Sequence, residues 1–240
     1  MDRIGIISVC MATYNGEKYI KEQISSILCQ LGRDDELIIS DDGSKDGTLN
    51  IITDFSDHRI KLFNNMNHGV NNNFENAITH ATGDYIFLCD QDDIWKEGKV
   101  EVILKELQNH VMIVHNAQII DGEGKQNGKT YYECTPNKTG FWGNLWKSRY
   151  LGCCMAFRSS LLKELLPFPK NVFGHDYWIG LYTDFRYNVK FIDDILISYR
   201  RHGGNVSTSG EQSTASIYNM FVEKRLRTLY QVLKRSYLGL

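Results

Sequence analysis

From residue 4 onward, the chain alternates between short apolar runs and segments whose apolar residues recur at helical spacing. Ile4 to Met11 is a continuous apolar run with β-branched residues, which predicts a strand buried on both faces. Ala12 to Gly16 reads as a loop. Glu17 to Leu31 carries Tyr19, Ile20, Ile24, Ile27, Leu28 and Leu31 along one face of a predicted helix. Glu36 to Ser40 predicts a second strand that ends in Asp41-Asp42-Gly43-Ser44. A helix over Asp46 to Phe55, a strand over Ile60 to Phe63 and a helix over Asn72 to Ala81 follow. The run Tyr85-Ile86-Phe87-Leu88-Cys89 then predicts a buried strand that delivers Asp90-Gln91-Asp92-Asp93. Strand and helix alternating to about residue 108 predict βαβ units, hence an α/β fold with a mostly parallel central sheet and helices on both faces.

Beyond residue 108 the pattern changes. Met112 to His115 predicts a strand, and Asp121-Gly122-Glu123-Gly124 opens a polar turn able to join a hairpin. Tyr150 to Phe157 is apolar and strand-like, Ser159 to Leu165 a short helix, His175 to Phe185 a helix and Ile195 to Tyr199 a last strand. This half reads as a mixed extension of the same sheet. Ile217 to Leu238 predicts a final amphipathic helix with Met220, Phe221, Leu226, Leu229, Tyr230 and Leu233 as its apolar positions. Lys224, Arg225, Arg227, Lys234 and Arg235 make it basic, which suits either packing on its own protein or contact with an anionic membrane surface. The expected organisation is one unit over residues 1–210, with halves 1–108 and 109–210, followed by a helix over 211–240.

Composition narrows the classes. The net charge of −2 gives no electrostatic footprint for nucleic acid. No apolar run is long enough to span a bilayer, and Met1-Asp2-Arg3 leads straight into strand-like sequence without a signal peptide. The six cysteines include no Cys-x-x-Cys pair, and Cys10 and Cys89 sit inside apolar strands, so a reducing cytoplasmic setting is expected. Asn137-Lys138-Thr139 and Asn205-Val206-Ser207 match glycosylation acceptors, which carry no meaning without secretion.

Chemistry concentrates at predicted strand ends. In open parallel sheets, ligands bind beyond the carboxyl ends of the strands. Tyr14-Asn15-Gly16, Asp41-Asp42-Gly43-Ser44 and the Asp tetrad should therefore converge on one rim. Three carboxylates at a strand exit repel one another unless a cation or hydrogen-bond donors offset them. Hard oxygen ligands there suit Mg²⁺ or Mn²⁺, ions that often hold substrate phosphates. An Asp-rich turn capping the next helix is the alternative. The usual glycine devices for phosphate are missing. No G-x-G-x-x-G follows the first strand, Glu123 stands where a P-loop before Gly128-Lys129-Thr130 needs glycine, and Trp95 occupies the glycine place of an EF-hand. Asp41 and Asp42 could accept from a base or ribose, or merely close their own turn.

These segments together resemble family-2 glycosyltransferases, which have the A-type, nucleotide-diphospho-sugar-transferase fold. The resemblance rests on Ser8-Val9-Cys10-Met11-Ala12-Thr13-Tyr14-Asn15-Gly16, on Ile38 to Thr48, and on Gly83 to Asp93. It extends to about residue 207, and the Asp-Gln-Asp-Asp-Ile-Trp variant is most similar to rhamnosyltransferase-type members that build bacterial surface polysaccharides. The resemblance implies a metal-dependent, inverting transfer from a nucleoside-diphosphate sugar to a saccharide or lipid-linked saccharide acceptor. It implies nucleotide contacts from Thr13, Tyr14, Asp41, Asp42 and Asp90, and metal contacts from Asp92 and Asp93. Gly174-His175-Asp176-Tyr177-Trp178 matches the segment carrying the base, which points to Asp176, with histidine where many members have glutamate. A helix N-terminal charge is the plainer role for Asp176.

The remaining candidates come from neighbouring residues. Arg200-Arg201-His202 follows the last predicted strand, so the arginines could meet a diphosphate and His202 the metal. The Gly203-Gly204 stretch could act as a lid. Gly152 could let an acceptor approach the backbone, and Trp178 or Trp95 could face a sugar ring. His175 joins them as an acceptor-side candidate. A nucleotidyltransferase would need a Gly-rich basic loop after the first strand, which Ala12 to Glu17 does not supply. A non-catalytic carbohydrate- or nucleotide-binding module on the same fold remains the other reading.

Overall fold

A computed structural model describes residues 5–136, 140–170, 172–203 and 215–238, with side chains from residue 222 onward in the last helix. Ile4, both glycosylation-type triplets, Gly204 of the suggested lid and the side chains of Ile217, Met220 and Phe221 lie outside the described residues.

The first half follows the predicted alternation: β1 (Ile7–Thr13), α1 (Ile20–Leu28), β2 (Glu36–Asp41), α2 (Thr48–Asp54), β3 (Ile60–Asn64), α3 (Val70–Thr79) and β4 (Tyr85–Asp90). Every residue of β2 and all but one of β1 are buried, which is why their apolar residues run consecutively, Val9 to Ala12 and Leu37 to Ile39, rather than alternating. β1 lies between β2 and β4, parallel to both, and β3 extends the sheet in parallel beyond β2. The register sets Thr13 beside Asp41 on one side, and Ala12 beside Asp90 on the other. Gly83 lets β4 enter tightly: a Cβ there would lie 2.7 Å from the Ile6 carbonyl oxygen and 2.8 Å from the Ser8 nitrogen.

The second half comprises β5 (Ile94–Trp95), α4 (Lys99–Leu107), β6 (Met112–Ile120), β7 (Gln126–Thr130), α5 (Tyr131–Cys134), α6 (Phe141–Trp146), β8 (Met155–Arg158), α7 (Leu162–Leu165), α8 (His175–Arg186), β9 (Lys190–Arg200) and α9 (Ala215–Leu238). The sheet runs β3-β2-β1-β4-β8-β6-β9-β5, with β7 on β6 as the second member of the expected hairpin. β8 is antiparallel to both β4 and β6, so the extension is mixed.

Three expectations change. Tyr150 to Phe157 is not one strand, because Gly152–Cys154 forms a 3₁₀ turn and only Met155 onward pairs with β4 and β6. The strand expected over Met112 to His115 continues to Ile120, paired with β9. The helices α5 and α6 carry no long apolar period; α5 is instead fixed by a capping box between Thr130 and Glu133.

Candidate active site

The carboxyl ends of β1, β2 and β4 form one rim. Gln91, the polar member of the tetrad, closes it from the β4 side. Its Oε1 accepts from the Thr13 hydroxyl at 2.5 Å and from the Tyr14 backbone N–H at 2.9 Å, and its Nε2 donates to the Tyr14 carbonyl at 3.0 Å. From the β2 side, Asn15 N donates to Ser44 Oγ and Lys45 N donates to Asn15 Oδ1. The Tyr14 loop is thus fixed on both flanks, with the tyrosine side of the loop 53% exposed and open to a flat partner. Thr13 is buried and serves the loop itself.

The two aspartates ending β2 divide their work. Asp41 is buried and accepts from Gly43 N, Ser44 N and the Ser44 hydroxyl, so its carboxylate closes the turn. Asp42 is half-buried and held by Asn65 Nδ2 at 2.8 Å, Gly69 N at 2.9 Å and the His68 ring at 3.1 Å. A cavity of about 340 Å³ adjoins it, lined by Asp41, Gly43, Ser44, Asn65, Met66 and His68. It lies beyond β2 and β3 rather than at the tetrad. His68 and Asn65 had no place in the sequence reading, although their position just after β3 obeys the same strand-end rule.

The tetrad is an electrostatic concentration. Burial first, then the charges of Asp92 and Asp176, push Asp90 up to about 7. Asp93 rises well above the usual carboxylate range through burial and its two neighbours. Asp92 is raised by burial, an effect partly offset by His202, whose Nε2 lies 2.9 Å from Asp92 Oδ2. Asp93 Oδ1 accepts from Arg200 N at 2.9 Å, while its Oδ2 is buried without a hydrogen-bond partner. Oxygens of Asp90 and Asp93 and the thiol of Cys153 lie within 4.8 Å of one another. An unpartnered buried oxygen among crowded carboxylates fits a divalent cation, and the oxygen-rich donor set, with His202 beside Asp92, suits Mg²⁺ or Mn²⁺.

Asp176 opens α8, where it accepts from the Tyr177 N–H at 2.7 Å and burial pushes it up to about 6. Gly152 links it to the tetrad. A Cβ on Gly152 would come within 3.7 Å of Asp176 Cβ, and the next residue is Cys153 of the acidic cluster.

Several sequence-based assignments are corrected here. Trp178 is fully buried with its indole N–H on the Leu165 carbonyl, so it cannot face an acceptor sugar. The space at Gly152 is filled by His175, whose Nε2 would lie 2.7 Å from an added Cβ, not by an open path for an acceptor. The His175 ring is buried, stacked on Phe74 at 3.7 Å and pushed down to about 3 by burial, so it stays neutral and packs the floor of the site. Trp95 is likewise buried. Arg200 is not placed to hold a diphosphate. Its guanidinium is buried, donating to the Asp92 carbonyl, Gly122 carbonyl and Glu22 carboxylate. It braces the tetrad instead. Arg201 is exposed, with its backbone N–H on the Ile120 carbonyl.

Residues 8–166 match the family model described as glycosyl transferase family 2. The chain belongs to that family. It is 28% identical over 242 residues to the Escherichia coli UDP-Glc:alpha-D-GlcNAc-diphosphoundecaprenol beta-1,3-glucosyltransferase WfgD, spanning 98% of this chain and 94% of that one. Among solved structures, Staphylococcus aureus TarS in complex with UDP-GlcNAc superposes with a TM-score of 0.67 at 18% identity, over 96% of this chain and 73% of that one. Glucosyl-3-phosphoglycerate synthase from Mycobacterium tuberculosis, with Mn²⁺, UDP and product bound, gives 0.61 at 17% identity over 95% and 79%. This glycosyltransferase therefore has the A-type fold, and its chemistry is the enzymatic transfer of a sugar.

Proposed function

We propose that this glycosyltransferase is metal-dependent and inverting, and moves a sugar from a nucleoside-diphosphate sugar to a hydroxyl of a lipid-linked saccharide in bacterial surface polysaccharide synthesis. It would work at the cytoplasmic face of the membrane. The observation that supports the reading is geometric: oxygens of Asp90 and Asp93 crowd within 4.8 Å of each other and of the Cys153 thiol, and Gly152, the residue before Cys153, lies against Asp176 at the start of α8. The diphosphoundecaprenol acceptor of the full-length relative supports the lipid-linked acceptor.

Tyr14 offers its face to the base, and Asp42, fixed by Asn65 and Gly69, accepts from the base imide N–H. Asp90 faces the ribose, and the cation is held by Asp92 with His202, with Asp93 behind. A bound Mg²⁺ or Mn²⁺ supplies Lewis-acid stabilisation of the departing diphosphate. Exposed Arg201 is the remaining candidate for the phosphates.

Asp176 is the general base. With a pKa of about 6 it is roughly nine-tenths ionised at neutral pH, yet basic enough to take a proton in the transition state. It accepts the acceptor hydroxyl proton as the new bond from that oxygen to the anomeric carbon forms. The bond from the anomeric carbon to the phosphate oxygen breaks with its electron pair leaving on the nucleoside diphosphate. Attack opposite the leaving group inverts the anomeric centre.

The test is turnover with candidate nucleotide sugars and diphosphoundecaprenol-linked acceptors, with Mn²⁺ or EDTA, followed by NMR of the product linkage. Metal-dependent release of nucleoside diphosphate with an inverted anomer supports the proposal. A retained anomer, or full turnover in EDTA, refutes it. Nucleotide binding with no transfer or hydrolysis would favour the binding-module reading.

A further inference from the structure

On α9 the residues Leu226, Tyr230, Leu233 and Tyr237 recur one turn apart, and every one is exposed. The helix is anchored by a different face, where Thr228 and Val232 are buried and Arg235 donates to the Leu165 carbonyl. The exposed stripe is therefore not what packs the helix onto the domain. It is continuous with a second exposed apolar feature. Tyr237 meets Phe185 at 6.1 Å, Phe185 meets Phe141 at 5.2 Å, and Phe141 meets Trp142 at 5.1 Å. Trp142 is 71% exposed and Trp146 56% exposed. Arg225 ties the two helices by donating to the Trp146 carbonyl.

Charge selects the occupant. α9 carries five basic residues against the single acid Glu223, and exposed Lys147 follows Trp146 directly. Arg225 and Arg235 bond the Trp146 and Leu165 carbonyls and Arg227 pairs with Glu223, while Lys224, Lys234 and Lys147 flank the exposed apolar residues. Aromatic rings with polar edges, aliphatic side chains and a surplus of cations match the headgroup layer of an anionic bilayer. Among the described residues no helix is long and apolar enough to cross a membrane, so contact here lies along the surface.

We infer that the joined α6–α9 surface docks on an anionic lipid bilayer, with Trp142, Trp146 and the Leu226–Tyr237 stripe entering the interface. This deepens the lipid-linked acceptor reading and rests on it for its purpose. Phe185, in the middle of the aromatic chain, shares α8 with Asp176, about 14 Å away along the helix axis at 1.5 Å per residue. Docking through this surface holds the base within reach of a saccharide anchored in the same bilayer.

Vesicle flotation of the full chain tests it, with phosphatidylcholine vesicles compared with vesicles containing phosphatidylglycerol. The expected result is flotation on anionic vesicles and roughly tenfold weaker binding to phosphatidylcholine alone. Trp142→Ser with Trp146→Ser, and separately Leu233→Ser with Tyr237→Ser, should each weaken anionic-vesicle binding about tenfold or more. Because these side chains are exposed, thermal melting should stay near wild type, which shows the variants fold. Trp95 and Trp178 are buried, so a blue shift of tryptophan emission on vesicles reports Trp142 and Trp146. Wild-type protein that floats on neither vesicle, or variants that float like wild type, would overturn the inference. So would a concentration-dependent dimer that the same substitutions abolish, which would assign the surface to a second copy. Nucleotide-sugar binding measured without vesicles separates the two proposals: intact donor binding without flotation refutes the dock alone, and flotation without donor binding refutes the transfer reading.

Discussion

Replacing Asp90 with asparagine keeps the side-chain shape and removes a charge that the fold holds at a cost. Its carboxyl rises from 3.8 in the unfolded chain to about 7 through burial and the charges of Asp92 and Asp176. A folded-state pKa above the unfolded one means that the folded protein binds the extra proton, so stability falls as pH rises from about 4 to 7. Above pH 7 the full penalty stands. About three pKa units correspond to an upper bound of roughly 4 kcal/mol, and about 2 kcal/mol is the expected size once neighbouring carboxylates relax when Asp90 becomes neutral. For 240 residues, about 2.1 cal/mol/K per residue makes each kcal/mol worth roughly 2 °C, so Asp90→Asn should raise the melting temperature by about 4–8 °C at pH 8 without divalent ions. The gain should shrink as pH falls through 7 and be nearly gone by pH 4, close to the unfolded-state pKa, where Asp90 is protonated in the folded protein and partly so in the unfolded chain. Added Mn²⁺ should stabilise wild type and narrow the difference, because ligand binding to the native state raises stability. Calorimetric melts of both proteins from pH 4 to 8, with EDTA or Mn²⁺, provide the assay. An asparagine variant that is less stable at pH 8, or whose difference is independent of pH, would show that Asp90 is not a strained buried charge.

Other expectations test separate parts of the site. Asp176→Asn should keep donor binding and lose roughly 10²-fold or more in kcat, measured by nucleoside diphosphate release; full activity would move the base elsewhere. In wild type, the acid limb of kcat should fall as pH drops through about 6, where Asp176 takes up its proton, and that limb should be absent from the residual activity of the asparagine variant. Gly152→Ala forces a Cβ to 2.7 Å from His175 Nε2, so it should cost about 1–3 kcal/mol in denaturant unfolding; a neutral result would mean that His175 moves freely.

The first half of the chain was largely legible because β1, β2 and β4 are mostly buried on both faces, and such strands carry consecutive apolar residues. Their carboxyl ends follow from topology, so Tyr14, Asp42 and Asp90 could be placed on one rim without coordinates. What escaped depended on distant partners. Arg200 looked like a phosphate ligand because its neighbours are basic, but Glu22 and the Asp92 carbonyl, far off in sequence, engage it. Trp178 could not be separated from a sugar platform by periodicity, since a helix buried on most of its circumference hides which ring reaches solvent. Gln91 passed as a spacer between aspartates, yet it clamps the Tyr14 loop. The two short helices around Tyr131 and Phe141 are set by a capping box and by packing on α8, neither of which an apolar count reveals.

The proposed function requires that a divalent ion held at Asp92 couple this acidic rim to a nucleotide sugar's diphosphate. Isothermal titration of UDP-glucose and other nucleotide sugars into wild type and Asp92→Ala, with Mn²⁺ or with EDTA, addresses it directly. The account predicts binding that strengthens at least about tenfold with Mn²⁺ in wild type and gains nothing from it in the variant. Equal affinity in EDTA, or an Asp92→Ala protein that responds to Mn²⁺ as wild type does, would contradict it.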